Sequence, residues 1–169
     1  CMAIATYLDW AATAPLHPAA RQAMAEAAAR LESGEWANPA SVHAPGRAAR
    51  RALTQAREQI AAFFAVDPDA VILTSGGTEA LSLALNGADC TVRLVGATEH
   101  PAVLEAAPEA VRIAVDSSGR ILLPAIPEGA LVAIQHANNE TGVVQNLAAI
   151  ARDVHAAGAR LVADCVQSA

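Results

Sequence analysis

Residues 70–85 read "AVILTSGGTEALSLAL". A short β-branched run stops at two glycines and a Thr, and a segment with apolar residues at helical spacing follows. Strand, tight turn and helix in that order form the repeating unit of an α/β fold. At such a turn the unpaired N–H groups and the positive end of the helix dipole favour an anion such as a phosphate. The turn matches neither GxGxxG nor a Walker loop, and paired glycines are also an ordinary way to reverse a chain. The ligand is therefore open at this point.

The same rhythm continues downstream. "VRLVGA", "VRIAV", "ALVAIQ" and "ARLVAD" are further apolar runs, and "LAAIARDVHAAG" between the last two puts Leu147, Ile150 and Val154 in phase with Gly158 as a cap. Runs buried on both faces and separated by helices predict a three-layer α/β domain with a mostly parallel sheet and flanking helices. Upstream, residues 1–16 read as an N-terminal arm and residues 17–169 as the domain proper. A helix is expected from Pro18 to the Gly34 stop, with Met24, Ala27, Ala28 and Leu31 on one stripe. A second helix should carry Ala49, Leu53, Ala56, Ile60 and Phe63, with its arginines turned to solvent.

Composition narrows the function. The net charge of -6 and the lack of a basic cluster beyond Arg47, Arg50 and Arg51 argue against nucleic-acid binding. All eleven basic residues are Arg, so the sequence contains no Lys. Three widely spaced cysteines (Cys1, Cys90, Cys165) outside any CxxC motif suit neither a metal site nor a disulfide framework, and fit a reducing cytoplasm. No stretch reads as a membrane span or a signal peptide.

In open α/β sheets the ligand sits beyond the carboxyl ends of the strands. Gly77 and Thr78 follow the first run, His100 the second, Asn138, Asn139 and Glu140 the fourth, and Asp164 and Gln167 the last. Each has an ordinary alternative. His100 before a Pro suits a surface or cap position, the asparagines suit a polar loop, and Asp164 suits a helix N-cap. Four of the five strand ends would nevertheless supply a phosphate cradle, an imidazole, an amide and a carboxylate on one rim.

The segments "YLDWAATAP", "NPASVHAPGR", "TSGGTEALSLAL", "ATEHPAVLE", "HANNETGVVQNLAAIA" and "ADCVQSA" resemble, in order and spacing, the cysteine desulfurases of the class V, fold-type I pyridoxal 5′-phosphate (PLP) enzymes. The "HANNE" form is similar to the NifS/IscS branch. The resemblance covers this chain but only about the first half of a typical member, which makes residues 17–169 a partial PLP-binding large domain without the Schiff-base Lys segment or the C-terminal domain. It implies that Gly77 and Thr78 bind the cofactor phosphate and that His100 stacks on the ring. It places Asn139 near the phenolic oxygen and substrate carboxylate, Asp164 on the ring nitrogen, and Gln167 on the phenolic oxygen. His100 and Asp164 would be the catalytic pair. A carboxylate beside the ring nitrogen raises that nitrogen's pKa, which keeps the ring an electron sink.

The Lys, the sulfur-accepting Cys and the substrate-clamping Arg of the family fall outside this chain. Trp10 stands where the family often has Asn or Tyr. Two expectations follow. One is the PLP-binding part of a split cysteine desulfurase that turns L-cysteine into L-alanine and a persulfide. A second polypeptide would bring the Lys and Cys, two such units would pair as a dimer, and a sulfur-acceptor protein would take the product onward to iron–sulfur cluster assembly. The alternative is a non-catalytic truncated scaffold or partner-binding fragment of the same fold. Cysteine and selenocysteine are not separated as substrates.

Overall fold

The computed structural model describes residues 6–169, so Cys1 lies outside the described residues. The chain divides into two compact units, the first ending at Leu73 and the second spanning Thr74–Ala169.

In the first unit, residues 6–17 form no helix or strand, and α1 (Pro18–Glu32) follows. Its start is set by His17, whose Nδ1 accepts from the Ala19 N–H at 3.2 Å, and Gly34 beyond its end takes φ +75°. The expected helix forms, but its apolar stripe is uncovered. Met24 and Leu31 are 63% and 57% exposed, and no residue of α1 is buried.

The second helix, α2 (Ala44–Phe64), begins ahead of the apolar phase that starts at Ala49. His43 Nδ1 accepts from the Gly46 N–H at 3.2 Å, and Pro45 occupies the first turn. Gly46 is required by close approach, because a Cβ there would lie 2.6 Å from the Ser41 carbonyl oxygen and 2.8 Å from that of Asn38. Two of the expected solvent-facing arginines also bind backbone. Arg47 donates to the Val42 carbonyl, and Arg50 Nε donates to that of Pro39 at 2.7 Å. Of the apolar stripe, Leu53, Ile60 and Phe63 stay partly or largely exposed, and only Gly46 and Ala61 of the helix are buried.

The run "AVILT" forms no strand. A 3-10 turn at Pro68–Ala70 leads into it, and Ile72 and Leu73 are 77% and 45% exposed with no neighbouring strand among the described residues. The Val71 N–H donates to the Pro68 carbonyl at 3.2 Å instead of to a ladder, and β propensity alone does not create a strand.

The second unit carries the sheet. Its elements are α3 (Gly77–Asn86), β1 (Arg93–Gly96), α4 (Pro101–Ala106), β2 (Val111–Ile113), β3 (Leu131–Gln135), α5 (Leu147–Ala156) and β4 (Arg160–Asp164). The strands lie in the order β2-β1-β3-β4, and every pairing is parallel. Alternation along the strands separates two cores. Val95, Leu131 and Ala133 pack with Leu81 and Leu85 of α3 and Val103 of α4. Leu94, Val132 and Ile134 pack on the other side with Ile113 and with Ile150 and Val154 of α5. Every residue of β3 is buried, each large side chain contributing roughly 1.5–3 kcal/mol of burial. This is the three-layer α/β arrangement with a parallel sheet that the sequence predicts. No helix among the described residues is long and apolar enough to cross a membrane.

Candidate active site

The register brings the polar residues to one rim. Gln135 ends β3 opposite Asp164, which ends β4. The Gln135 side-chain amide donates to the Thr98 carbonyl just beyond β1, and Asn138 Nδ2 donates to the same oxygen at 3.1 Å. The turns after β1 and β3 are therefore tied together. At the β4 end, Gly77 meets Val166, since a Cβ on Gly77 would stand 3.0 Å from Val166 Cγ2. The start of α3 thus lies against the turn that carries Gln167.

The α3 terminus suits an anion. Gly76 is its N-cap, no side chain caps it, and open space lies where a Gly76 Cβ would be. Gly77 is half-buried and Thr78 exposed there. Glu79 brings a negative charge to the same turn, but its carboxylate is drawn back onto Ser75, accepting from the Ser75 Oγ at 2.6 Å and the Ser75 N–H at 2.7 Å. Those bonds hold its pKa below the ordinary carboxylate value.

His100 and Asp164 take both the ordinary roles and the rim position. His100 is the N-cap of α4, with Nδ1 accepting from the Ala102 N–H at 3.1 Å. In the neutral ring that bond leaves the proton on Nε2 and fixes the plane of an exposed imidazole. Asp164 is half-buried, and its Oδ1 accepts from the Val166 N–H at 3.0 Å, which closes the turn after β4.

The two asparagines separate cleanly. Asn138 Oδ1 accepts from the backbone of Glu140 at 3.0 Å and of Thr141 at 2.7 Å and from Thr141 Oγ1 at 3.0 Å, so this side chain builds the loop. Asn139 next to it is exposed and turns out of that network. Gln167 is exposed within the turn at 166–168. His136 joins the same edge, its Nδ1 lying 2.8 Å from Ser168 Oγ.

Sequence reasoning passes over two buried members, Glu99 and Gln135, each 4% exposed. A polar residue closing the otherwise apolar strand "LVAIQ" signals the second, and the acid directly before His100 signals the first. Burial, chiefly, raises the Glu99 pKa to about 7; the Gln135 backbone N–H opposes the rise and the negative charge of Asp164 adds to it.

As a donor set, an uncapped helix start, an exposed imidazole, a half-buried carboxylate and two amides on one rim fit a phosphorylated aromatic cation. Residues 6–169 match the aminotransferase class-V family. A cysteine desulfurase of Frankia sp. (strain EuIK1) is 38% identical over 188 residues, covering 96% of this chain and 44% of that protein. The cysteine desulfurase IscS of Tolumonas auensis is 35% identical, covering 99% of this chain and 46% of the relative. Among solved structures, a NifS-like protein superposes with a TM-score of 0.80 at 25% identity, covering 94% of this chain and 48% of its own. The chain therefore spans about half the length of the curated relatives it matches. By fold, by the order of its strand-end residues and by the extent of these matches, this chain belongs to the class-V aminotransferase family.

Proposed function

We propose that the chain is the PLP-binding N-terminal part of a cysteine desulfurase whose Lys and sulfur-accepting Cys come from a second polypeptide, two such units pairing as a dimer that serves a sulfur-acceptor protein in the cytoplasm. The observation that carries the reading is the gathering of Gly77, His100, Asn139, Asp164 and Gln167 at the carboxyl rim of one parallel sheet, within the partial large domain of residues 17–169.

When bound, PLP supplies an electron sink for charge developing at the substrate's α-carbon. The chain's own residues do the rest. The start of α3, with Gly77 and Thr78, holds the phosphate through N–H groups and the helix dipole. Asp164 accepts from the ring nitrogen and keeps it protonated. His100, its plane fixed by the Ala102 N–H, covers the ring face and moves a proton at the α-carbon through Nε2. Asn139 and Gln167 orient the substrate end and the phenolic oxygen. The net reaction takes L-cysteine and a thiol to L-alanine and a persulfide, the thiolate being the nucleophile that accepts sulfur.

A second reading is a non-catalytic scaffold of the same fold, favoured by the absence of Lys from the sequence. Borohydride reduction of natively purified material, followed by mass spectrometry, separates the two. A phosphopyridoxyl group on a Lys of a co-purifying second polypeptide is the expected result. The same group on one longer polypeptide containing this sequence would retain the site and overturn the split. No labelled polypeptide would leave the scaffold.

A further inference from the structure

Glu99 follows β1 with its side chain turned inward. It is 4% exposed, and neither carboxylate oxygen makes a well-formed hydrogen bond, the backbone N–H of Gln135 giving only a pull too weak to offset burial. An unpaired acid in such a place is costly and is held only where the surrounding structure fixes it. Gly96 makes the room, since a Cβ there would collide with Glu99 Oε1 and stand 3.2 Å from Ile121 Cδ1. Behind it, the Thr98 carbonyl is pinned by the Gln135 and Asn138 amides, which sets the backbone that aims Glu99 inward and leaves His100 outward.

The surroundings contain one charge that acts on it. Asp164 reaches it from β4, whereas β3 offers only the uncharged Gln135, and His100 is engaged in capping α4. The negative charge of Asp164 disfavours ionisation of the buried Glu99 carboxyl.

We infer that Glu99 is a positioning residue of the cofactor-ring site, a buried acid that gives up its remaining proton to solvent when a cationic ring settles against Asp164. The inference rests on the PLP reading of this rim. A cation arriving beside Asp164 favours the ionised form of a neighbouring acid and so lowers its pKa. Glu99 is already almost fully buried, so a bound ring adds little further desolvation to oppose that pull. The total charge at this end of the site then changes little as the ligand arrives.

The test is calorimetric titration of the full chain with pyridoxine 5′-phosphate, which carries the ring and phosphate but needs no Lys, near pH 7 in two buffers of different ionisation enthalpy. The unsubstituted chain should release about half a proton more per ligand than Glu99→Gln, because a group titrating near 7 is half protonated there. Binding with equal proton counts overturns the inference and leaves the cofactor reading intact. Absence of binding to the unsubstituted chain overturns the cofactor reading and the inference with it. Should Glu99→Gln fail to fold, the carboxyl carbon of Glu99 is followed by NMR in the unsubstituted chain. Its midpoint should fall by about one pH unit or more on saturation, and a midpoint that stays or rises overturns the inference.

Discussion

Gly77 at the start of α3 and Val166 in the turn after β4 touch so closely that a methyl group on Gly77 would lie 3.0 Å from Val166 Cγ2. Gly77→Ala should therefore push the helix start away from the turn, costing roughly 1–3 kcal/mol of stability and about tenfold or more in affinity for pyridoxine 5′-phosphate. Gly76→Ala is the control. Open space surrounds its Cβ position and its φ of 164° is extended, so its stability should change by no more than about 0.5 kcal/mol. Denaturant unfolding and ligand titration of both variants check this.

The neighbouring asparagines should fail in different assays. Asn138→Ala removes the acceptor for the Glu140 and Thr141 N–H groups and one of the two donors to Thr98, and should cost about 1–3 kcal/mol in unfolding experiments. Asn139→Ala, on an exposed side chain, should leave stability within about 0.5 kcal/mol and weaken binding of a carboxylate-bearing substrate analogue.

His100 holds its helix and faces the rim at once, and a substitution can divide the two roles. His100→Asn keeps an N-cap acceptor and loses the ring, so stability should hold within about 0.5 kcal/mol while the absorption change on binding PLP is altered. His100→Ala loses both and should cost about 1 kcal/mol in addition.

Glu99 gives the fold a pH dependence of defined sign. Its folded-state pKa of about 7 lies above its ordinary value of 4.5, so between those values the folded chain binds more protons than the unfolded one. Stability is full below about pH 4.5 and declines as pH rises through about 7, by about 3 kcal/mol in all. Glu99→Gln should remove that component of the slope. Urea midpoints measured at intervals across the range, for both proteins, provide the check.

The sheet was legible where alternation and helical phase agreed. "LVAIQ" and "RLVAD" became paired strands, and Ile150 and Val154 of α5 are buried in the phase their spacing predicts. The run at 71–74 carries an equally strong β signal and forms no strand, because pairing depends on a neighbour that local sequence does not encode. The stripe on α1 shows the same limit, its period being right for a helix while Met24 and Leu31 lie exposed. In the site, the strand-end positions of His100 and Asp164 were readable, whereas their capping bonds and the inward turn of Glu99 depend on side-chain direction that spacing does not give.

β4 hydrogen-bonds to β3 on one side, and no described strand pairs with its other side. Among the described residues, Asp164 is thus held by the ladder to β3 alone, and a ladder open on one side opens locally before one closed on both. Amide exchange along β4 should outpace that along β3, and warming should loosen the carboxylate before it unfolds the domain. In the proposed site, the temperature at which a ring-nitrogen contact to Asp164 would weaken is then set by the β3–β4 ladder of this chain, not by the two cores beneath it.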